Sequence, residues 1–297
     1  MNGKCEWIMD KEFFIKVCDE VIGQQQGLNG IGTLGEKTVH SVLKSYYSPD
    51  NINHEIKVGG FVADICTGNE IIEIQTRNFD KLRRKLTAFL AFAPVTIVYP
   101  IHNIKWLRWV NPQTGEISPP RKSPRPGSPY SIFPELYRIK DYLVNPNLRL
   151  KIVMINLEEY RFLDGWSKDK KKGSSRCDRI PTEIVNEISI NSISDYQVFV
   201  PDILSSEFTS KDYKKASGLP LHQAQTALHI LHYIGAVDRV GKKGNSFVYA
   251  KNTGDNNKST NKIPVEEETV PTALPVKPSK AKQKSRIIKE ETKKYSR

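Results

Sequence analysis

The stretch that decides the predicted fold is Phe61-Val-Ala-Asp64-Ile-Cys-Thr-Gly-Asn-Glu70-Ile-Ile-Glu73-Ile-Gln75. Two apolar runs flank the turn-forming triplet Thr67-Gly-Asn69, so the pattern predicts two strands joined by a tight turn. Asp64 then lies in the middle of the first strand, and Glu73 and Gln75 share one face of the second. Carboxylates on a largely buried sheet need a cation or hydrogen-bond donors, and a divalent metal is the simplest partner.

The segments around this hairpin predict an α/β fold. An amphipathic stretch begins at Lys11, and a second predicted helix covers residues 36–46. A strand at His54–Val58 precedes the hairpin, whereas a helix over residues 79–92 and the apolar run Val95–Tyr99 follow it. Continuous apolar runs are typical of central strands. The order helix, three strands, helix, strand predicts a mixed sheet flanked by helices.

The next hundred residues predict additions to this sheet. Residues 105–118 read as an extra hairpin and residues 119–129 as a loop rich in Pro and Arg. A helix over 132–142 and a strand over 148–157 follow. Residues 158–185 read as a basic loop around Trp166, which is either a solvated surface segment or a contact for nucleic acid.

The acidic residues resemble the PD-(D/E)xK nuclease superfamily, most closely its archaeal Holliday-junction-resolvase-like and restriction-endonuclease-like branch. There a helix Glu follows a Gly turn, an Asp lies in a strand, and an E-x-K motif lies on the next strand. Glu36, Asp64 and Glu73-Ile74-Gln75 match that arrangement. The resemblance covers residues 30–100 and implies a restriction-endonuclease-like fold with Mg²⁺, or Mn²⁺, as the cofactor.

The resemblance assigns a role to each of these positions. Asp64, Glu73 and the Ile74 carbonyl would bind the metal ion, and Glu36 would bind a second ion or orient a metal-bound water. Mg²⁺ typically takes one or two carboxylates from the protein while water and phosphate oxygens complete its shell. The chain departs from the family at Gln75, which stands where the family has a catalytic Lys. Lys57 or Arg77 could supply the missing charge.

Residues 197–251 predict a separate module of helix, helix, turn, helix and a two-stranded ribbon. This order resembles a winged helix-turn-helix, which implies that 221–233 is the recognition helix and Lys242-Lys243 the tip of the wing. Its polar positions Gln223, Gln225 and Thr226 would face a DNA groove. Such modules also mediate contacts between proteins, so that alternative stays open.

Composition favours a polyanionic partner. The 297 residues contain 45 Lys or Arg and 33 Asp or Glu, a net charge of +12. Residues 252–297 hold eleven basic and six acidic residues and are predicted to be a disordered basic tail, so the folded part is basic as well. The four scattered Cys and six His lack metal-type spacing, and no apolar run reaches the length of a membrane span. These features predict a cytoplasmic protein.

The sequence thus predicts three parts, a nuclease domain at 1–190, a winged helix at 197–251 and the tail. The first hypothesis is a metal-dependent DNA endonuclease, which could act as a homodimer because such enzymes often cut both strands. Its backbone contacts would come from three basic segments, Arg83-Arg84-Lys85, Arg121–Arg125 and Lys168–Lys172. The alternative is a non-catalytic DNA-binding regulator on a degenerate nuclease core, and an RNA-directed nuclease is a third reading.

Overall fold

The helices and strands follow the order expected from the sequence. The computed structural model describes residues 9–29, 38–165 and 175–252, with the backbone alone for 24–29. Glu36, Trp166, Lys168–Lys172 and all but the first residue of the predicted tail lie outside those ranges. No helix within them is long and apolar enough to cross a membrane.

The N-terminal two thirds of the chain forms a large α/β unit. Its helices are α1 (Lys11–Asn29), α2 (Thr38–Tyr47), α3 (Arg83–Leu90) and α4 (Phe133–Arg138). Its strands are β1 (His54–Val58), β2 (Phe61–Cys66), β3 (Ile71–Ile74), β4 (Val95–Val110), β5 (Arg121–Lys122), β6 (Leu148–Phe162) and β7 (Arg176–Ile190). Short 3₁₀ helices at Asn51–Asn53, Phe79–Leu82, Pro129–Ile132, Lys140–Tyr142 and Ile193–Phe199 join them.

The central sheet is mixed. Its strand order is β1-β2-β3-β4-β6-β7, with β5 paired to β4. The β1–β2, β2–β3 and β6–β7 pairs are antiparallel, whereas β4 lies parallel to both β3 and β6. A mixed α/β fold with a large sheet flanked by helices is therefore confirmed.

The central strand β4 extends further along the sheet than its neighbour β3. The β3–β4 ladder ends where the Gln75 N–H donates to the Val98 carbonyl at 2.9 Å. Two residues later β4 carries Pro100, which has no N–H to donate. The ladder to β6 continues to Val110↔Phe162. From Tyr99 to His102 no strand that the structure describes pairs with this side of β4, and β5 pairs with it further on, at Trp106 and Leu107.

The lengths of these strands refine one sequence expectation and correct another. The predicted hairpin at 105–118 is present, with an antiparallel bridge between Val110 and Ile117, but its first arm is the end of β4, which has a bulge between His102 and Lys105. Much of the predicted basic loop at 158–185 is strand, because β6 continues to Phe162 and β7 begins at Arg176. Charged side chains alternate with partly buried ones along β7 and hide its strand character. Pro181 is tolerated because β7 is an edge strand and the ladder shifts register there.

Hydrophobic side chains cover both faces of the sheet. One face packs against α1 and α2 through buried residues that include Ile65, Ile72, Ile74, Val98 and Val153. The other face packs against α3, α4 and the C-terminal elements through residues that include Ile71, Val95, Ile97, Leu150 and Ile152. The alternation along each strand follows from the two-residue period of its side chains. Apolar burial on both faces holds the middle of β2 and β3 within the protein.

The C-terminal elements form a smaller sheet on two helices. They are β8 (Glu207–Thr209), α5 (Ser210–Ser217), α6 (Leu221–Tyr233), β9 (Val237–Lys243) and β10 (Ser246–Lys251), with the antiparallel order β8-β10-β9. Thr209 and Asp212 form a capping box at the start of α5, and Gly218 ends that helix with φ +71°. Buried residues of α6 belong to the same hydrophobic cluster as α4. These elements therefore share a core with the large sheet, within the unit Met1–Asp255.

Candidate active site where two strands separate

The two strands of the predicted hairpin stop pairing at the positions of Asp64 and Glu73. Strands β2 and β3 are paired at Ile65↔Ile72 and Cys66↔Ile71, and the ladder stops there. The next positions along it are Asp64 and Glu73. Since a strand that leaves its ladder exposes unpaired N–H groups, the backbone at this point needs other acceptors.

The side chains of Asp64 and Glu73 accept hydrogen bonds from backbone N–H groups of the opposite strand. The Asp64 N–H donates to Glu73 Oε1 at 3.3 Å, and the Ile74 N–H donates to Asp64 Oδ2 at 2.8 Å. This reciprocal pair replaces the missing ladder bonds. It also brings two carboxylates together within the sheet, where the Glu73 residue is only 2% exposed.

Two further side chains complete the cluster; sequence reasoning did not place His40 here and assigned Lys85 to a contact with the DNA backbone. Lys85 on α3 donates from Nζ to Glu73 Oε1 at 3.0 Å and to Oε2 at 2.9 Å. His40 on α2 places Nε2 at 3.2 Å from Asp64 Oδ2. The cluster is therefore built from one helix on each face of the sheet and the two strands between them. His40 lies four positions after Glu36 in the helix predicted over residues 36–46, and that spacing could have indicated it.

The two carboxyl groups titrate differently because of these neighbours. Burial, and then the negative charge of Asp64, raises the pKa of Glu73 to about 7, against the opposing effect of Lys85. Burial also acts to raise the pKa of Asp64, but the hydrogen bond and charge of His40 and the Ile74 N–H outweigh it and lower that pKa. Asp64 is therefore the acid that ionises more readily, and Glu73 is the one that keeps its proton to higher pH. Such separation within a pair of acids is common at functional sites.

The remaining predicted site residues are distributed differently. The backbone of Ile74 is at the cluster, and Glu36 is outside the described residues. Gln75 points away, since its Nε2 donates to the carbonyls of Arg77 and, at 3.4 Å, Asn78. Asn78 has a positive φ of 60°, so Gln75 supports a strained turn after β3. Of the predicted substitutes for the missing Lys, Lys57 is exposed on β1, and Arg77 lies in the turn after β3.

Few side chains near Asp64 and Glu73 could act as ligands to a metal ion. Within the described ranges, no three His, Cys, Asp or Glu side chains are grouped so that they could hold a metal ion. Asp64 and Glu73 provide two carboxylates, and the cation now beside Glu73 is the Lys85 ammonium. The arrangement can hold a cation next to a buried pair of acids that repel each other.

The predicted nucleic-acid contacts fall into two groups. The partly exposed Arg83 already has partners within the protein, since it donates to the Arg138 carbonyl at 2.7 Å and pairs with Asp141 at 3.2 Å. The others lie at the surface, wholly or in part: Arg84, Gln223, Gln225, Thr226, Lys242 and Lys243. Thr226 directs its hydroxyl to the His222 carbonyl at 3.0 Å within α6. Arg121 is exposed on β5.

Comparison with known proteins places this cluster inside a recognised domain. No solved structure matches the chain. An uncharacterized protein of Treponema pallidum (strain Nichols) is 28% identical over 230 residues, which are 77% of this chain and 90% of the relative. A family model described as a domain of unknown function, DUF8091, matches residues 37–191. That segment runs from α2 to β7, holds all four members of the cluster and is more than half of the 297 residues. The chain therefore belongs to the DUF8091 family.

Proposed function

We propose that the protein is a Mg²⁺-dependent DNA endonuclease that hydrolyses phosphodiester bonds beside Asp64 and Glu73. The observation that carries the proposal is the convergence of two carboxylates and one ammonium where β2 and β3 separate. A nuclease of the resembled type needs this set of charges, acids to hold a cation and a base or ammonium next to the phosphate. In the mixed sheet, the antiparallel strands β1, β2 and β3 are followed by the parallel strand β4, an order compatible with the restriction-endonuclease-like fold.

The two carboxylates fit a hard divalent cation. Mg²⁺ prefers oxygen ligands and keeps several waters. The protein therefore needs to supply only a few ligands, and Asp64, Glu73 and the Ile74 carbonyl are enough. When bound, the ion would lower the pKa of a water and offset charge on the phosphate. The raised pKa of Glu73 supports this assignment, because it reflects burial first and then repulsion by Asp64, and a divalent cation would offset both. Glu36 remains the proposed additional acid.

Lys85 is the proposed substitute for the ammonium that Gln75 lacks. Its Nζ already lies within hydrogen-bond distance of both Glu73 oxygens, although α3 rather than β3 supplies it. With a phosphate beside Glu73, the same ammonium would orient the nucleophile and stabilise negative charge. His40 would hold Asp64 in place through their 3.2 Å contact. Gln75 is then a positioning residue for the turn after β3.

The C-terminal elements are proposed to act as a winged helix that docks duplex DNA. The order β8, α5, α6, β9, β10 with a three-stranded antiparallel sheet supports that resemblance. Lys242 and Lys243 are exposed near the β9–β10 turn, and Arg239 and Lys242 lie over the Phe247 ring at 4.2 and 5.1 Å. Basic side chains on an exposed ribbon are suited to phosphate contacts.

A plasmid-nicking assay tests the proposed chemistry. Wild type is compared with Asp64→Asn, Glu73→Gln and Lys85→Met in Mg²⁺ or Mn²⁺, and Glu70→Gln in the same hairpin is the matched control. Cleavage should fall at least about 100-fold in the first three variants, the usual scale for a lost electrostatic group, and persist in the control. Equal cleavage by wild type and Asp64→Asn would overturn the proposal, as would a metal-independent rate.

One observation favours the non-catalytic alternative. The Lys85–Glu73 ion pair and the Asp64–Ile74 hydrogen bond together satisfy the acids without a metal, as they would in a structural network. A regulator would bind duplex DNA with unchanged affinity in Asp64→Asn and leave plasmid uncut in every variant. Competition between duplex DNA and RNA of matched sequence distinguishes either reading from an RNA-directed nuclease.

A further inference from the structure

A cavity of about 570 Å³ lies along the open side of β4. It is bordered by Tyr99 and His102 of that strand, by Arg77 after β3, and by Arg176 and Arg179 of β7. The cavity exists because β3 stops at Ile74 while β4 continues to Val110. Crevices at the carboxyl ends of strands in α/β sheets are common binding sites.

The cavity adjoins the candidate active site through two elements. Its wall includes Val39, the neighbour of His40 on α2. It also includes Arg77, two residues beyond Gln75 on the chain segment that continues from β3. A hydrogen bond from Thr38 to Asp178 joins α2 to β7 at the same wall. The cavity and the candidate active site therefore share α2 and the segment that follows β3.

Basic side chains outnumber carboxylates beside this cavity. Glu159 is fully buried and is shared by four cations, which are Lys105, Arg161, Arg176 and Arg179. Asp178 is occupied by the Thr38 hydroxyl and by the backbone N–H of Arg179. Arg77 has no ion pair with any residue that the structure describes. These two carboxylates cannot neutralise the five basic side chains beside the cavity.

The same excess charge shifts the titration of the lining groups. Burial, and then the charges of Lys105 and Arg179, lowers the pKa of His102. Burial, followed by the charge of Arg179, lowers the pKa of Arg176 despite the attraction of Glu159. Like charges held together near a low-dielectric interior are unfavourable unless an anion joins them. The cavity is thus electrostatically prepared for a negatively charged ligand.

A glycine fixes the position of His102. A Cβ on Gly127 would lie 1.6 Å from the His102 carbonyl oxygen, so any other residue would displace the backbone of one segment. The Gly127 N–H donates to the Asn103 carbonyl at 3.1 Å. This close approach braces β4 at its bulge, where the strand borders the cavity.

We propose that this cavity, the arginine pocket, binds the phosphomonoester dianion at the end of a nucleic acid strand. Guanidinium groups suit phosphate because they donate paired hydrogen bonds in a plane. A terminal phosphate carries more charge than an internal phosphodiester, in keeping with the surplus of Arg. The volume exceeds that of a phosphate alone, and Tyr99 and Val39 offer apolar surface to the attached nucleoside. The strand as the source of the phosphate rests on the proposed function; the anion pocket itself does not.

Fluorescence anisotropy in EDTA tests this proposal without any cleavage. The probes are internally labelled oligonucleotides of one sequence, single-stranded and duplex, ending in 5′-phosphate, 3′-phosphate or hydroxyl. Wild type should bind one phosphate-ended form at least about 10-fold more tightly than the hydroxyl-ended form, and Arg77→Gln should remove that preference. Arg77 is exposed, so the variant should fold. Arg149→Gln, which loses only a 3.9 Å contact with Glu70, is the matched control and should retain the preference.

Three outcomes would overturn the proposal. Equal affinity of wild type for phosphate and hydroxyl ends would do so, as would an unchanged preference in Arg77→Gln. Competition by adenosine monophosphate at the same concentration as an unlabelled phosphate-ended strand would show that a free nucleotide, rather than a strand end, is the ligand. Because the assay needs no metal and no turnover, its result does not depend on the proposed nuclease activity. An inactive protein could still prefer phosphate ends, and an active nuclease could lack that preference.

Discussion

Lys85 Nζ lies 3.0 and 2.9 Å from the two carboxylate oxygens of Glu73, although the two residues come from a helix and a strand twelve positions apart. The Glu73 side chain is buried, whereas the Lys85 side chain keeps partial access to solvent. The Lys85 ammonium in this position offsets the cost of burying the Glu73 carboxylate in the sheet. The same contact links the stability of the sheet to the chemistry proposed for it.

Replacing Lys85 should therefore affect stability and activity together. Lys85→Met leaves the Glu73 carboxyl without its cation, so we expect the free energy of unfolding to fall by about 2 kcal/mol, less than for a fully buried pair. The pKa of Glu73 should also rise above its value of about 7. Urea unfolding at pH 7 measures the first effect and NMR titration the second. Lys81→Met, at an exposed position one turn earlier, should change neither; equal losses in both variants would contradict this account.

A divalent cation should stabilise the folded protein. Binding to the native state alone adds about 2.7 kcal/mol when the ligand is at 100 times its Kd. Thermal unfolding monitored by circular dichroism should show a higher Tm in Mg²⁺ or Mn²⁺ than in EDTA, and Asp64→Asn should abolish that rise. Glu70→Gln serves as the control that keeps it. A rise of equal size in Asp64→Asn would assign the metal effect to another site.

Low pH should reduce the free energy of unfolding because Glu159 becomes protonated. Burial favours the neutral acid, but the charges of Arg179 and Lys105 and the bond from Arg161 prevail and lower the pKa of Glu159 to about 2 from 4.5. The folded pKa is the lower one, so the stabilisation is present above pH 4.5 and is lost as pH falls toward 2. A shift of this size corresponds to about 3 kcal/mol.

The free energy of unfolding measured between pH 2 and pH 7 checks this expectation. Glu159→Gln should be less stable than wild type at pH 7 and should depend less on pH in the acid range. Glu116→Gln, an exposed position in the β4–β5 connection, should follow the wild-type curve. Parallel curves for wild type and Glu159→Gln would show that other acids cause the loss.

The β9–β10 ribbon should control the salt dependence of DNA binding. If Lys242 and Lys243 each neutralise one phosphate, the double Gln variant should reduce the slope of log K against log salt by about 2. Binding should weaken for all sequences alike, since phosphate contacts carry no base information. Titrations at several salt concentrations measure the slope. Lys16→Gln on α1 is the control, and an unchanged slope in the double variant would argue against a DNA-binding wing.

The sequence predicted the order of elements because apolar periodicity is a local signal. The β2–β3 hairpin and β1 follow from alternation and turn residues, and pairing alone brings Asp64 next to Glu73. Lys85 could not be found in this way, because its contact depends on how α3 packs on the sheet. The arginine pocket was hidden for a similar reason. Arg176 and Arg179 lie in a stretch whose composition is typical of a loop, and only the long β6 ladder shows that they line a strand.

The hydrophobic cluster that α4 shares with α6 has a consequence for the protein as a whole. Phe133, Leu136 and Ile139 are fully buried, together with Leu228, Ile230 and Leu231. Cutting the chain between the two sheets would expose these buried apolar side chains to water on both fragments, and both fragments would then tend to aggregate. The β9–β10 ribbon is accordingly held on the large sheet by a packed interior, so a ligand bound to the ribbon would lie at a fixed distance and angle from Asp64 and Glu73.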